Sequence, residues 1–352
     1  MNAEQTTSRA GARRRGRRRR AAPILVGMAA LVVLAAVAAV GYLASLSGTF
    51  DTKTNKIASA FPDDSVRPPA ADPQSEPTPV NVLMIGSDSR GAALGQAEAG
   101  QPSDQRADTI MLVHIPADRK KVYAISIMRD LWITIPGHGP AKVNASLAEG
   151  GVPLVVQTIE GLLHQRIDHV VAVDFDGFKG LTDALGGVDV DVPVAFSSTM
   201  YENRGLAFQQ GPLHMDGRTA FAFIHERYAF SDGDYQRVRN QQVYLKSLFS
   251  KVFRPETLAD PMTASAALGA FAPYLAVDAG LTSGAVASLA LQLSALRPAD
   301  VVTLTLPTLG TGWSEDGQSI VRPDPKATDA LAVALAGGTM DRFATEARAA
   351  DR

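Results

Sequence analysis

One uncharged stretch limits what this chain can become more than any other feature. Residues Pro23 to Leu46 read PILVGMAALVVLAAVAAVGYLASL and carry no charge. As a helix at about 1.5 Å per residue the stretch reaches about 36 Å, enough to cross a hydrocarbon core of about 30 Å. Ahead of it lies a polar tail, residues 1–22, whose first twenty residues hold eight Arg and one Glu. Such a tail has too little apolar surface to fold. Arginines beside an apolar span fix its orientation, so the tail is expected in the cytoplasm and everything after residue 47 outside. The length of the span favours an uncleaved single-pass anchor over 23–46. Cleavage near Ala44-Ser45-Leu46-Ser47-Gly48, as in a signal peptide, is the alternative.

The charge balance reflects the same division. The formal net charge of −2 includes the arginine tail, so the remainder is clearly acidic. A basic tail on an acidic body, with an apolar span between them, argues against a nucleic-acid-binding domain. The chain has no cysteine. Disulfides, thiolate nucleophiles and Cys-ligated metals are thereby excluded.

Residues 47–79 read as a linker. Their second half, 62–79, is rich in Pro and acids and suits a semi-extended spacer between membrane and domain. The folded domain is expected over 80–338, with 339–352 as a charged tail that frays. Val80–Ile85 is a short apolar strand that ends in Gly86-Ser87-Asp88-Ser89-Arg90. Thr109–Ile115 and Lys121–Met128 are two strands around the turn Pro116 to Lys120. Their alternation is poor, so both faces are expected to be covered. Trp132–Ile135 extends the second strand until Pro136-Gly137 breaks it. A helix-like stretch runs from Lys142 to about 165, interrupted by Gly150-Gly151. Asp168–Phe175 is a strand, 176–185 a helix, and Val188–Phe196 an alternating strand with one wet face. Helices come next, over Arg218 to about Arg227 and about 235–253. The region 254–300 reads as helical, Val301–Leu306 as the last strand, and Pro325–Leu335 as a closing helix. Strand, helix, strand order points to an α/β domain.

The usual hydrolase and nucleotide motifs are missing. The scattered histidines, His114 and His169 among them, read as structural. What remains is Arg and Asp at predicted strand ends and in one helix–loop–helix. Arg106 and Asp108 open the first hairpin strand; Arg129 and Asp130 close the second. Arg237, Arg239 and Gln241 lie in the first turns of a helix that comes after a Gly-containing loop, a place suited to an anion. Arginine grips phosphate bidentately and stays charged. Neighbouring carboxylates call for a cation between them, and oxygen-only ligands select a hard ion such as Mg²⁺. Arginines with a carboxylate-held Mg²⁺ suit a diphosphate whose phosphate leaves without a covalent nucleophile.

Seven stretches then carry a resemblance: NVLMIGSDSR, RADTIMLVHI, SIMRDLWITIPG, KVNASLAEGG, DHVVAVDFDGFKGLTDALGGVDVDVP, MDGRTAFAFIHERY and GDYQRVRNQQ. In this order, and behind a basic tail and anchor, they resemble the LytR–CpsA–Psr (LCP) proteins of bacterial cell envelopes, from about Val80 to Leu335. The resemblance implies a three-layer α/β/α sandwich with a central mixed sheet, preceded by one transmembrane helix, and a hydrophobic tunnel for a prenyl chain. It implies a Mg²⁺-dependent phosphotransferase in cell-wall assembly. The donor would be a polyprenyl-diphosphate-linked glycopolymer. The acceptor would be the C6 hydroxyl of peptidoglycan N-acetylmuramic acid, and the product a phosphodiester. By motif, Asp88 and Asp108 would hold Mg²⁺, with Asp88 alternatively the base that activates the hydroxyl. Arg106, Arg129 and Arg227 would grip the diphosphate, with Arg237 and Gln241 assisting. Arg90, Asp130, Asn144 and Arg239 complete the candidates for substrate binding. His225 stands where the family usually has the first arginine of Arg-x-Arg, and a partly neutral imidazole holds phosphate less firmly. A polyprenyl-diphosphate hydrolase and a non-catalytic envelope regulator are the rival functions. High Ala and Arg content suggests an actinobacterial source.

Overall fold

The computed structural model describes residues 46–70, 77–87, 106–200, 203–252 and 260–350. The expected membrane span and basic tail lie outside the described residues. Among the described residues no helix is long and apolar enough to cross a membrane. The chain divides into two units, Met1–Gly48 and Thr49–Arg352, and the second carries the sheet and its helices.

The strands are β1 (Asn55–Ile57), β2 (Val80–Ser87), β3 (Ala107–Ile115), β4 (Val122–Ile127), β5 (Trp132–Ile135), β6 (Gly139–Lys142), β7 (His169–Asp174), β8 (Val188–Val192), β9 (Phe196–Ser197), β10 (Ala207–Phe208), β11 (Gly211–Met215), β12 (Leu275–Asp278), β13 (Val301–Thr305), β14 (Thr308–Trp313) and β15 (Ser319–Pro323). The longer helices are α1 (Ala145–Leu163), α2 (Phe175–Ala184), α3 (Gly217–His225), α4 (Asp234–Val252), α5 (Pro261–Phe271), α6 (Ser283–Gln292), α7 (Pro325–Ala336) and α8 (Met340–Ala350). Seven strands form one mixed sheet in the order β1-β12-β7-β2-β3-β4-β13, flanked by helices. β2, β3 and β4 pair antiparallel in succession, whereas β7 joins β2 and β13 joins β4 in parallel.

This topology decides where chemistry can gather. The carboxyl ends of β2 and β4 and the amino end of β3 fall on one edge of the sheet. β4 is buried along its whole length, as poor alternation requires of a strand covered on both faces. β2 is different. Leu83 and Ile85 enter the main core, the cluster that also holds Val155, Val156 and Ile159 of α1, and Met84 between them is only half-buried. α1 is bent at Gly150-Gly151, where Gly151 takes φ +63°, a conformation that side chains resist. A second apolar cluster joins Val188, Val190 and Met215 of the β8–β11 pair to Phe223 of α3 and Tyr244 of α4. It seats the two helices that carry the later arginines.

Six expectations need correction. The linker is not a bare spacer: it supplies β1, parallel to β12, and buries Phe50, Ile57 and Ala60. Arg67, from the same stretch, is tied to buried Glu160 at 2.8 Å. Trp132–Ile135 does not extend β4; it pairs with β6 in its own hairpin. Val188–Phe196 is divided into β8 and β9, neither of which joins the main sheet. The region 254–300 is not all helix, because Leu275–Asp278 is a strand between β1 and β7. Val301–Thr305 leads into the β14–β15 hairpin, and 340–350 is a helix that buries Met340 and Ala344 rather than a frayed tail.

Candidate active site

Asp108, Arg129, Asp130 and Asp234 come together at the edge shared by β3 and β4. Asp108 is the second residue of β3, and Arg129 follows the end of β4. Arg129 Nη1 donates to Asp108 Oδ1 at 2.5 Å. Its Nε lies 3.4 Å from Asp234 Oδ2 and 3.7 Å from Asp130 Oδ2. Lys142 closes the group from β6, with Nζ 3.3 Å from Asp130 Oδ1. The Arg129 backbone is held as well, since its carbonyl accepts from the Asn144 N–H at 3.1 Å.

The second half comes from the α3–loop–α4 segment. α3 starts behind Asp216, whose carboxylate accepts from Thr219 N–H at 2.8 Å, and ends at His225. Gly233, at φ +53°, turns the chain into α4, so that Asp234 opens the first turn, where a carboxylate is favoured by the helix dipole. Asp234 is the hub of the site. Its Oδ1 lies 3.6 Å from Arg227 Nη1 and 3.4 Å from Arg237 Nη2, while Arg129 approaches its other oxygen. Three arginines therefore face one carboxylate, each beyond ordinary hydrogen-bond length. Arg129 Nε, Arg237 Nε and Asp234 Oδ1 are all buried without a hydrogen-bond partner. A buried unmade hydrogen bond costs about 1–3 kcal/mol, so the unbonded Nε–H donors on two arginines of this group suit an acceptor ligand.

The electrostatics agree. Burial opposes the charge of Arg129, yet Asp234 and Asp108 hold its pKa above the ordinary guanidinium value. Asp130 is pushed up, first by burial and then by a hydrogen bond shared with the Asp234 carboxyl, against the pull of Arg129 and Lys142. Four cations, Arg129, Lys142, Arg227 and Arg237, meet three carboxylates, Asp108, Asp130 and Asp234, which leaves a formal excess of positive charge. The group thus attracts an anion. A cleft of about 660 Å³ opens onto it, lined by Asp130, Arg227, Asp234 and Tyr235 on one side and by Gly310, Thr311 and Ser319 of the β14–β15 hairpin on the other.

The other candidates lie around this group. Arg106 is exposed at the mouth of β3, and its carbonyl accepts from Ser87 Oγ. Asn144 is buried and meets Arg129 through its backbone. Arg239 turns to Gln236 Oε1, at 2.6 Å, and to Asp232, outside the Asp234 group. Gln241 bonds Thr109 Oγ1 and the Ile224 carbonyl, both at 3.3 Å, tying α4 to β3 and α3. His225 stacks on Phe221 with ring centroids 4.0 Å apart, and its Nδ1 donates to the Phe221 carbonyl at 3.0 Å. Burial pulls its pKa down to about 4. Its imidazole is therefore neutral at neutral pH. His114 is buried against Asn81, and His169 lies beside Asp278.

Asp88 and Arg90 lie outside the described residues. Asp88 comes directly after Ser87, which pairs with Ala107 next to Asp108. Among the described residues no group of three or more His, Asp or Glu is arranged to hold a metal ion. Asp108 brings a carboxylate of the oxygen-only chemistry that Mg²⁺ favours. Sequence reasoning missed Asp234 as a member of the site, although GDYQR places it at a helix start where an acid gathers arginines. It missed Lys142 as well, for which no local pattern speaks.

One face of the sheet behind this edge is apolar and not fully covered. Val82, Met84, Val113, Val171 and Val173 alternate with the core residues of β2, β3 and β7 and are half-buried. Their registers place Val82 beside Val113 and Met84 beside Val171, which makes one contiguous patch.

Comparison with known proteins gives a consistent picture. The sequence matches the model of the LytR_cpsA_psr family over residues 43–336. It is 29% identical over 280 residues to the cell wall biosynthesis protein LcpA of Corynebacterium glutamicum, spanning 69% of this chain and 53% of that one. It is 31% identical over 186 residues to the polyisoprenyl-teichoic acid–peptidoglycan teichoic acid transferase TagV of Bacillus subtilis, spanning 51% of this chain and 46% of that one. The chain thus spans about half the length of these curated relatives. The crystal structure of B. subtilis TagV shares the fold at a TM-score of 0.61 and 23% identity, over 74% of this chain and 97% of that chain.

Proposed function

Because the chain belongs to the LytR-CpsA-Psr family, we propose that it transfers a glycopolymer from a polyprenyl-diphosphate carrier to peptidoglycan. The acceptor C6 hydroxyl of N-acetylmuramic acid attacks the phosphorus that bears the glycan. A phosphodiester to the sugar forms, the bond to the lipid phosphate breaks, and the lipid leaves as its monophosphate. The hydroxyl proton passes to a carboxylate of the site.

The observation that carries this reading is the convergence of Arg129, Arg227 and Arg237 on Asp234, with the Nε–H groups of Arg129 and Arg237 buried and unbonded. Two such donors, with Arg227 beside them, suit the oxygens of a diphosphate and strengthen as charge develops on the leaving phosphate. Asp108, with Asp88, would hold Mg²⁺; when bound, the ion neutralises diphosphate oxygens as a Lewis acid. The apolar patch of β2, β3 and β7 would take the prenyl chain. In this reading the flanking helices are the outer layers of a three-layer sandwich, carried outside the cell membrane by a single span over 23–46. The domain then meets its lipid-linked donor at the membrane surface.

The test is acceptor dependence. Purified protein is given a synthetic polyprenyl-diphosphate glycan, Mg²⁺ and peptidoglycan oligosaccharide. Release of polyprenyl monophosphate that requires the acceptor is the expected result. Equal release without acceptor would make the protein a hydrolase.

A further inference from the structure

Glu226 has no solvent exposure, yet the transfer chemistry gives it no role. Its Oε1 accepts from three successive backbone N–H groups, Arg227 at 3.0 Å, Tyr228 at 2.9 Å and Ala229 at 3.2 Å. The same oxygen accepts from the Thr199 hydroxyl at 2.9 Å. Its Oε2 accepts from the Thr199 N–H at 2.7 Å and the Ser198 hydroxyl at 3.0 Å. All of these groups donate, so the side chain is held as a carboxylate, which can only accept. Burial works to raise its pKa, but the donors of Thr199 and Ser198 outweigh it and the pKa falls below the ordinary glutamate value.

Burying a carboxylate is expensive, and the same turn could be built with neutral groups. What the charge brings is rigidity at one place. Three consecutive N–H groups on one oxygen form a nest that fixes the backbone where α3 ends. Arg227 is the first residue of that turn. Its guanidinium lies over the Tyr228 ring, 4.5 Å from the centroid, and reaches Asp234 at 3.6 Å.

We propose that Glu226 is a positioning residue for the phosphate grip: by fixing the 227–229 turn and tying it to Ser198-Thr199, it aims Arg227 into the cleft beside Asp234. The proposal rests on the diphosphate reading of that cleft. Glu226 itself touches no substrate. It removes the conformational freedom that Arg227 would otherwise lose on binding.

A double-mutant cycle on the affinity of the full chain for inorganic pyrophosphate, measured calorimetrically, tests this. Glu226→Gln places an amide donor against the Thr199 and Ser198 donors and loosens the turn. Alone it is expected to weaken binding on the order of ten-fold. In the Arg227→Ala background it is expected to cost nothing further, because the residue it aims is gone. Equal losses in both backgrounds, or no loss in either, overturn the proposal. Should Glu226→Gln fail to fold, the Ser198→Ala/Thr199→Ala pair removes the two hydroxyl donors only, and the same cycle applies with a smaller expected loss. Wild-type protein that does not bind pyrophosphate would sink the diphosphate reading itself, an outcome distinct from an additive cycle.

Discussion

His225 shows how much a single side chain can change in meaning once its surroundings are known. By resemblance it replaces an arginine, and by composition it is a half-charged imidazole. Its environment makes it neutral, because burial lowers its pKa to about 4. His114 behaves alike, its pKa also lowered to about 4, first by burial and then by Arg119. Both lie near 6.5 in an unfolded chain. Between pH 6.5 and 4 the unfolded state therefore binds protons that the folded state refuses. Stability is full above pH 6.5 and is lost as pH falls toward 4, by up to ~3 kcal/mol for each histidine. Urea unfolding at pH 7 and pH 4.5 measures the loss, and His225→Phe is expected to flatten the slope. Arg129 poses the complementary case. Arg129→Ala removes a guanidinium shared by Asp108 and Asp234 and is expected to lower the transfer rate on the order of 10²-fold or more. A rate within two-fold of wild type would remove Arg129 from the site.

Among the elements, the α3–loop–α4 segment supplies Arg227, Asp234 and Arg237 to the site. Gly233 takes φ +53° immediately before Asp234. Gly233→Ala is expected to cost about 1–2 kcal/mol of stability and to raise the KM for the donor, because α4 then starts from a strained turn. A lowered melting temperature with an unchanged KM would limit the glycine to a folding role. Much of this segment was legible in the sequence. MDGR announces a capped helix, and SDGD announces a loop before the next one. The hairpin carrying Asp108 and Arg129 was legible too, since two apolar runs joined by Pro-Ala-Asp-Arg-Lys pair across a short turn. The convergence on Asp234 was not. It depends on how α4 packs against β8 and β13, a contact between residues far apart in the chain, and no spacing rule reports it. β12 and β14 were missed for a related reason. LAVD is too short to show a period, and Gly310 and Gly312 interrupt the pattern of TLGTGW.

For the whole molecule, the chief revision concerns the segment before the domain. Composition made 47–79 a spacer, but Ile57 is 2% exposed and β1 completes the edge of the main sheet beside β12. Proline and acid content in 62–79 masked the apolar residues ahead of them. Ile57→Ala is therefore expected to destabilise the domain by about 2–5 kcal/mol, read from the urea midpoint, whereas a spacer would tolerate the change. The same packing anchors the chain to the domain from Phe50 onward, on the β1–β12 side of the sheet and away from the β3–β4 site. Under the proposed function, the β3–β4 edge moves one phosphate, with its glycan, from lipid to cell wall. The most direct measurement tracks a donor labelled at the phosphorus that bears the sugar, incubated with protein, Mg²⁺ and peptidoglycan oligosaccharide. Label in the peptidoglycan product as a phosphodiester, with loss of that signal in Arg129→Ala, is the expected result. Label that remains on the lipid, or appears as free sugar phosphate with no peptidoglycan adduct, would contradict it.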